Sequence, residues 1–171
     1  MSVYVTQALG EALIRLMKTE AIEKITVDEL TGEAGIGRAT YFRNFSSKEE
    51  ILTAYITWRW REYEKEHQLK EHRIDAPYRV QQYFEFCYSM RRVNDIIFCQ
   101  KKQAAILGAY EIIFRDRDLG REEDSFARSY MAYGLYGIFL KWAEEGYIQT
   151  PSEMADIVIH QIFRDYRMDR I

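Results

Sequence analysis

Arg38, Asn44 and Lys48 fall within an 11-residue stretch, and their side chains suit the reading and holding of a nucleic-acid duplex. An arginine at a helix start forks onto guanine O6 and N7, and an asparagine pairs with an adenine edge. The short side chains of Ala39 and Thr40 let a helix approach closely and bring methyl groups within reach of a thymine. Lys48, in the first turn of a helix, adds its ammonium to the free amides there, which suits a phosphate. No acidic residue lies between Ala34 and Lys48, whereas Arg38, Arg43 and Lys48 are basic. A local positive footprint therefore sits in a chain of formal net charge −3. Phosphate affinity comes mainly from Lys and Arg releasing counterions, so this balance suits specific rather than promiscuous contact with nucleic acid.

The elements that must position these residues are legible on either side of them. Thr26 and Glu29 have capping-box spacing and open one helix, and the Gly35 to Gly37 turn ends it. A short helix from Arg38 to Asn44 follows, with Tyr41 and Phe45 four apart and so directed to the core. Ser46 and Ser47 each have Glu three residues on, at Glu49 and Glu50, giving the fourth helix two competing capping boxes. A first helix from about Val3 to Thr19 carries Leu9, Ala12, Leu13, Leu16 and Met17 at helical spacing and braces this helix-turn-helix.

Residues 6 to 52 resemble the DNA-binding domain of the TetR family of bacterial transcriptional regulators. The resemblance rests on Ile25-Thr26-Val27, Ala34-Gly35-Ile36, and Thr40-Tyr41-Phe42-Arg43-Asn44-Phe45 running into Ser47-Lys48-Glu49. A second resemblance, to the C-terminal domain common in TetR-type regulators of Gram-positive bacteria, covers Tyr133 to Ile138, Trp142, Glu145 to Ile148 and Pro151 to Ala155. The first resemblance implies base or backbone contacts from Arg38, Ala39, Thr40, Tyr41, Phe42, Arg43 and Asn44, and phosphate contacts at Thr26 and Lys48. Two residues depart from the pattern. Phe42 stands where the family usually has a phosphate-binding Tyr, leaving Tyr41 as the neighbouring hydroxyl. Asp28 suits the helix dipole but repels phosphate.

Beyond residue 48 the pattern is helical throughout. The fourth helix continues through Ile51, Leu52, Tyr55, Ile56 and Trp58 into the charged run from Arg59 to Arg73. Asp75 and Pro77 predict the start of another helix, carrying Val80, Tyr83, Phe84 and Cys87, and Asn94 or Asp95 a restart. Segments through Ile97 and Phe98 and through Ile106, Tyr110, Ile113 and Phe114 lead to a charged loop from Arg115 to Asp124, expected to be the most exposed stretch. One helix is predicted from Ser125 to Glu145, stopped by Gly146. A last one starts from Thr150, Pro151 and Glu153, runs to about Arg167, and has Met154, Ile157, Val158, Gln161 and Ile162 as its apolar face.

At 171 residues, 47% hydrophobic and 15% aromatic, the chain has the material for a sizeable core. Cys87 and Cys99 lack zinc-ligand spacing and read as small core residues in a reducing cytosol. His67 and His72, five apart, do not form a metal pair, and His160 reads as a packed or interface residue. With no run of 18 apolar residues the chain is expected to be soluble and untargeted. No nucleophile-base pair, metal cluster or phosphate loop is visible, so neither an enzyme nor a cofactor is expected.

The expected fold is all-α. An N-terminal three-helix helix-turn-helix domain takes residues 1–48, and a helical-bundle domain for dimerisation and ligand sensing takes residues 49–171. The expected function is regulation of transcription by a cytoplasmic homodimer on a double-stranded DNA operator. The resemblance implies repression relieved by a small-molecule effector, with activation as the alternative. Outside that reading stand a helical protein-interaction module without DNA affinity and, more remotely, an enzyme whose site forms only in three dimensions. Gly134, Gly137, Ile138, Met154, Ile157, Val158 and Ile162 are the expected dimer interface. Tyr83, Phe84, Phe98, Tyr110 and Phe114 are the expected effector walls, because buried Tyr hydroxyls need partners that a partly polar cavity would supply.

Overall fold

A computed structural model describes residues 2–72, 76–115 and 124–162. Among these residues the regular structure is helical. The elements are α1 (Val3–Leu16), α2 (Val27–Ala34), α3 (Arg38–Asn44), α4 (Lys48–Glu66), α5 (Pro77–Ser89), α6 (Arg91–Cys99), α7 (Ala104–Arg115), α8 (Asp124–Glu144) and α9 (Pro151–Ile157). A 3-10 turn, Leu69–Glu71, follows α4, and a π-helical turn, Val158–Ile162, continues α9.

The helix starts follow the local chemistry of the sequence. Thr26 accepts from the Glu29 amide at 3.2 Å while the Glu29 carboxylate accepts from the Thr26 amide at 2.8 Å. This reciprocal pair satisfies two amides that have no partner inside the helix, and it holds the Glu29 carboxyl below its usual range. Thr150 and Glu153 repeat the arrangement at α9, with Pro151 in its first turn. At α4 the two candidate boxes resolve into one partner. Ser47 Oγ accepts from the Glu50 amide at 3.1 Å, the Glu50 carboxylate accepts from the Ser46 amide at 2.7 Å, and Glu49 is turned to another use.

Three helices close in the same way. A residue one or two positions beyond the helix takes a left-handed backbone, and its amide and the next one bond back to carbonyls three and five residues earlier. Gly35 at φ 64° and Gly146 at φ 74° do this at no steric cost. Lys101 does it at φ 56° after α6, where a side chain costs about 1 kcal/mol.

Several boundaries differ from expectation. α1 ends at Leu16 rather than Thr19. Asp75 lies outside the described residues, and Ala76 holds the position before Pro77 in α5. The chain restarts at Arg91, not at Asn94 or Asp95. The break falls at Met90, at φ −88° and ψ 0°, and Asn94 is buried within α6. Cys87 is buried as expected, but Cys99 is exposed. The charged loop expected from Arg115 to Asp124 and the last residues before Arg167 fall largely outside the described residues.

By packing, the chain forms two compact units that do not follow chain order. The first comprises Met1–Arg59 and Arg92–Tyr136, the second Trp60–Arg91 and Gly137–Ile171, so the expected boundary at residue 48 is not the division by contact. In the first unit Leu9, Ala12, Leu13, Leu30, Ile51 and Leu52 are fully buried beneath the helix-turn-helix. In the second, Phe84, Phe139, Trp142 and Val158 form the fully buried centre, with α5 packed against α9.

Candidate nucleic-acid interface

Burial sorts the residues of α3 into one buried, four exposed and two, Thr40 and Asn44, that are half-buried. Tyr41 is 4% exposed, as is Phe45 just after the helix, whereas Arg38, Ala39, Phe42 and Arg43 face solvent. Positions i, i+1, i+4 and i+5 share one helical face, so the inward pair fixes the outward four. Phe42 is 60% exposed, its ring 5.1 Å edge-on from Tyr41. Burial raises the pKa of the Tyr41 phenol, and Tyr41 does not present the hydroxyl that Phe42 lacks.

Other expected contact residues have structural work in this conformation. Asn44 Nδ2 donates to the Thr40 carbonyl of its own helix at 2.7 Å, so pairing with an adenine requires the amide to turn outward. Arg43 Nη2 donates to Thr40 Oγ1 at 3.3 Å. Thr26 is occupied by its capping box, donating from Oγ1 to Glu29 at 2.7 Å. Lys48 is half-buried and reaches back 26 and 23 residues to donate to the carbonyls of Ile22 and Ile25. Its ammonium ties α4 to the loop before α2, and two of its three N–H groups go to those carbonyls.

Two features were missed by sequence reasoning. The first is the partner of Arg38: Nη1 lies 2.7 and 2.9 Å from the two carboxylate oxygens of Asp28, with both side chains mostly exposed. A basic residue in one helix's first turn and an acid in the preceding helix's first turn were the available signal. The second is the turn between α6 and α7. Gln100 donates from Nε2 to the carbonyls of Met17 at 2.7 Å and Glu20 at 2.8 Å, and accepts from the Ile22 amide at 2.7 Å. Lys102 bridges Glu23 at 2.6 Å and Glu49 at 2.8 Å. Those bonds lower the pKa of both carboxyls and raise that of Lys102. Thr53 of α4 donates to the Ala105 carbonyl at 3.1 Å. The left-handed Lys101 lies between the two clamping residues, so its strain is held in place from both sides.

The expected effector residues do not share one unit. Tyr83 and Phe84 belong to the second, Phe98, Tyr110 and Phe114 to the first. Phe84, Tyr110 and Phe114 are buried. A cavity of about 650 Å³ in the first unit is walled instead by Asn44, Phe45, Thr53, Lys102, Ala105 and Ile112 among others, and includes none of the five.

The expected dimer residues divide too. Met154 and Val158 are spent in their own protomer's core at 6% and 0% exposure, because α9 and the π-helical turn after it both pack on α5. Ile138 and Ile157 are half-buried, and the Ile162 side chain lies outside the described residues. A side chain added at Gly134 or Gly137 would meet nothing within 4 Å, so both look away from the protomer. On α8, Phe126, Tyr130 and Tyr133 are exposed at helical spacing, and the Tyr133 hydroxyl donates to Glu111 at 2.6 Å. His67 stacks on Tyr63, His72 meets the edge of Tyr78, and His160 is exposed. Among the described residues, no group of three or more His, Cys, Asp or Glu could hold a metal ion, and no helix is long and apolar enough to cross a membrane.

Comparison with known proteins agrees with this geometry. Residues 10–55 match the family described as bacterial regulatory proteins, tetR family. Residues 78–164 match a transcriptional regulator C-terminal region. None of the curated proteins matches the chain. A solved structure, a candidate fatty acid metabolism regulator of Clostridium perfringens, superposes with a TM-score of 0.51 at 21% identity, covering 89% of this chain and 96% of its own. At that identity the likeness speaks for the fold.

Proposed function

Because the chain belongs to the TetR family of bacterial regulatory proteins, we propose that it is a sequence-specific DNA-binding regulator that acts as a cytoplasmic homodimer and represses until a small molecule releases it. The observation that carries the reading is the α3 face of Arg38, Ala39, Phe42 and Arg43. It is exposed, basic and short-chained at one position, and fixed from behind by Tyr41 and Phe45. Such a face meets base edges in the major groove, with Arg38 as the guanine fork and Phe42 as an apolar contact for a thymine methyl. Lys48 and Thr26 hold the frame of the reader and stand beside the phosphates.

One seven-residue reader buries too little for useful specificity, so two symmetric readers on a near-palindromic site are required. The exposed aromatic row of α8 together with the outward-facing Gly134 and Gly137 supports a second copy there. Residues 1–48 serve the DNA and the remainder serves pairing and sensing, with Gln100 and Lys102 as the link to the loop before α2. Regulation, not catalysis, is the activity in this reading.

Selection from a random duplex pool tests it. The expected result is an enriched, two-fold related pair of half-sites in helical phase, bound by a species that sediments as a dimer. A pool with no enriched sequence sinks the proposal. Isolated half-sites bound by a monomer sink its dimeric form. For the effector, metabolites are screened for release of the selected duplex. A releasing ligand must bind the free form better, by about tenfold for each 1.4 kcal/mol of coupling.

A further inference from the structure

We propose that Asp28 is a positioning residue for base readout: it grips one nitrogen of Arg38 and thereby presents the other edge of the guanidinium to a guanine. The inference rests on the DNA-binding reading above and adds to it a residue that makes no base contact itself. Arg38 Nη1 lies between the two Asp28 oxygens at 2.7 and 2.9 Å. That contact engages a single nitrogen, and the Nε–Nη2 edge keeps its two-donor fork for O6 and N7.

Stability does not account for the pair. Its side chains are 60% and 67% exposed, and an ion pair in water at that exposure contributes little to folding. Arg38 is also the first residue of α3, where a cation opposes the helix dipole. Asp28, in the first turn of α2, is a negative charge on the side of the molecule that would meet phosphates, which weakens binding to any duplex. Arg38 opposes the dipole of its own helix and Asp28 opposes the approach of phosphates, yet together they form a two-point support for one fork. A long side chain held in one rotamer loses less freedom when it meets a base, so the support sharpens discrimination rather than raising overall affinity.

The opposing signs make the inference testable. Asp28→Asn and Asp28→Ala are compared with the full-length wild type by selection from a random duplex pool and by titration of an arbitrary duplex at several salt concentrations. The expected result is tighter binding to the arbitrary duplex together with a loss of roughly fivefold in preference at the base pair whose preference Arg38→Ala also flattens. Adding Asp28→Asn to Arg38→Ala should change that base pair no further, and Asp28→Glu should restore part of the preference. Uniformly tighter binding with an unchanged sequence preference would make Asp28 a repulsive charge only. Uniformly weaker binding with a lowered melting temperature would make it a helix-start residue only. Either result overturns the inference while leaving the DNA-binding reading intact. A wild-type chain that enriches no sequence removes both.

Discussion

Two of the arginine–carboxylate pairs that close to the same distance lie in opposite surroundings. Arg38 meets Asp28 at 2.7 Å on the helix-turn-helix surface, with side chains 60% and 67% exposed. Arg79 meets Glu64 at 2.7 Å inside the second compact unit, with side chains 8% and 7% exposed. There Arg79 also donates to the carbonyls of Leu69 and His72, so one guanidinium joins the end of α4, the turn after it and the start of α5. Burial pushes the Arg79 pKa down and Glu64 pushes it back. The difference teaches which charge is free to change partners. A buried pair is locked, because separating it leaves a charge without water, while an exposed pair is exchangeable at little cost. A surface that reads DNA needs the second kind, hydrated and with one edge of its arginine left open for the base.

The largest effect that could break this comparison belongs to the buried pair. Glu64→Ala should destabilise the protein by about 3–5 kcal/mol, since Arg79 keeps its burial and loses its counter-charge. Denaturant unfolding measures it, and a loss under about 1 kcal/mol would show that Arg79 escapes to solvent and is not locked in place. Next comes the packed scaffold beneath the reader. A methyl placed at Gly10 of α1 would overlap the Tyr55 side chain of α4, whose Cβ lies 2.7 Å from it. Gly10→Ala should therefore cost about 1–3 kcal/mol through overpacking, despite the gain in helix propensity. Unchanged thermal stability would mean that α1 and α4 separate without penalty.

Local chemistry explains which parts of this architecture the sequence announced. Thr26–Glu29 and Thr150–Glu153 satisfy their own helix starts within four residues, and Gly35 and Gly146 supply the left-handed turns, so those boundaries are readable from neighbours alone. The split of α3 was equally local, since Tyr41 and Phe45 being one turn apart fixes the face that remains. What depended on distant partners was not readable. The two carbonyl acceptors of Lys48 lie more than twenty residues away, where no local pattern reveals them. Gln100 carries no motif, and its partners are 78 to 83 residues distant. The break at Met90 has neither glycine nor proline, and Lys101 takes a conformation that a lysine does not advertise. Met154 and Val158 form an apolar stripe that sequence alone assigns equally well to a partner copy or to α5.

Between the buried and exposed extremes lies Lys102, which bridges Glu23 and Glu49 at the base of the helix-turn-helix. Its hydrogen bonds hold both carboxyls below their usual value of 4.5, so their contribution is present above that pH and is lost as the pH falls through their lower folded values. Lys102 itself is raised above 10.5, so its contribution is present below that pH and fades only as the pH climbs through the higher folded value. Replacing Lys102 by Met should flatten the dependence of stability on pH between about pH 5 and pH 3, relative to the wild type. Matching slopes in the two proteins would place the acid sensitivity elsewhere.

The smallest expected effect on folding is also the sharpest test of the comparison. Arg38→Ala should change stability by only about 0–1 kcal/mol, because both members of the pair are already largely hydrated. The same substitution should cost about 1–3 kcal/mol in binding to the selected duplex and flatten preference at one base pair per half-site. Arg38→Lys separates charge from geometry. An ammonium retains the attraction to phosphate and to Asp28, and so the salt dependence, but has no planar fork with which to tell guanine from adenine. The lysine variant should therefore bind arbitrary DNA about as well as the wild type while losing most of the preference that alanine loses. If Arg38→Ala instead lowered stability as far as Glu64→Ala does, the surface pair would be locked to the same degree as the buried one. Its place would then be explained by folding rather than by base readout.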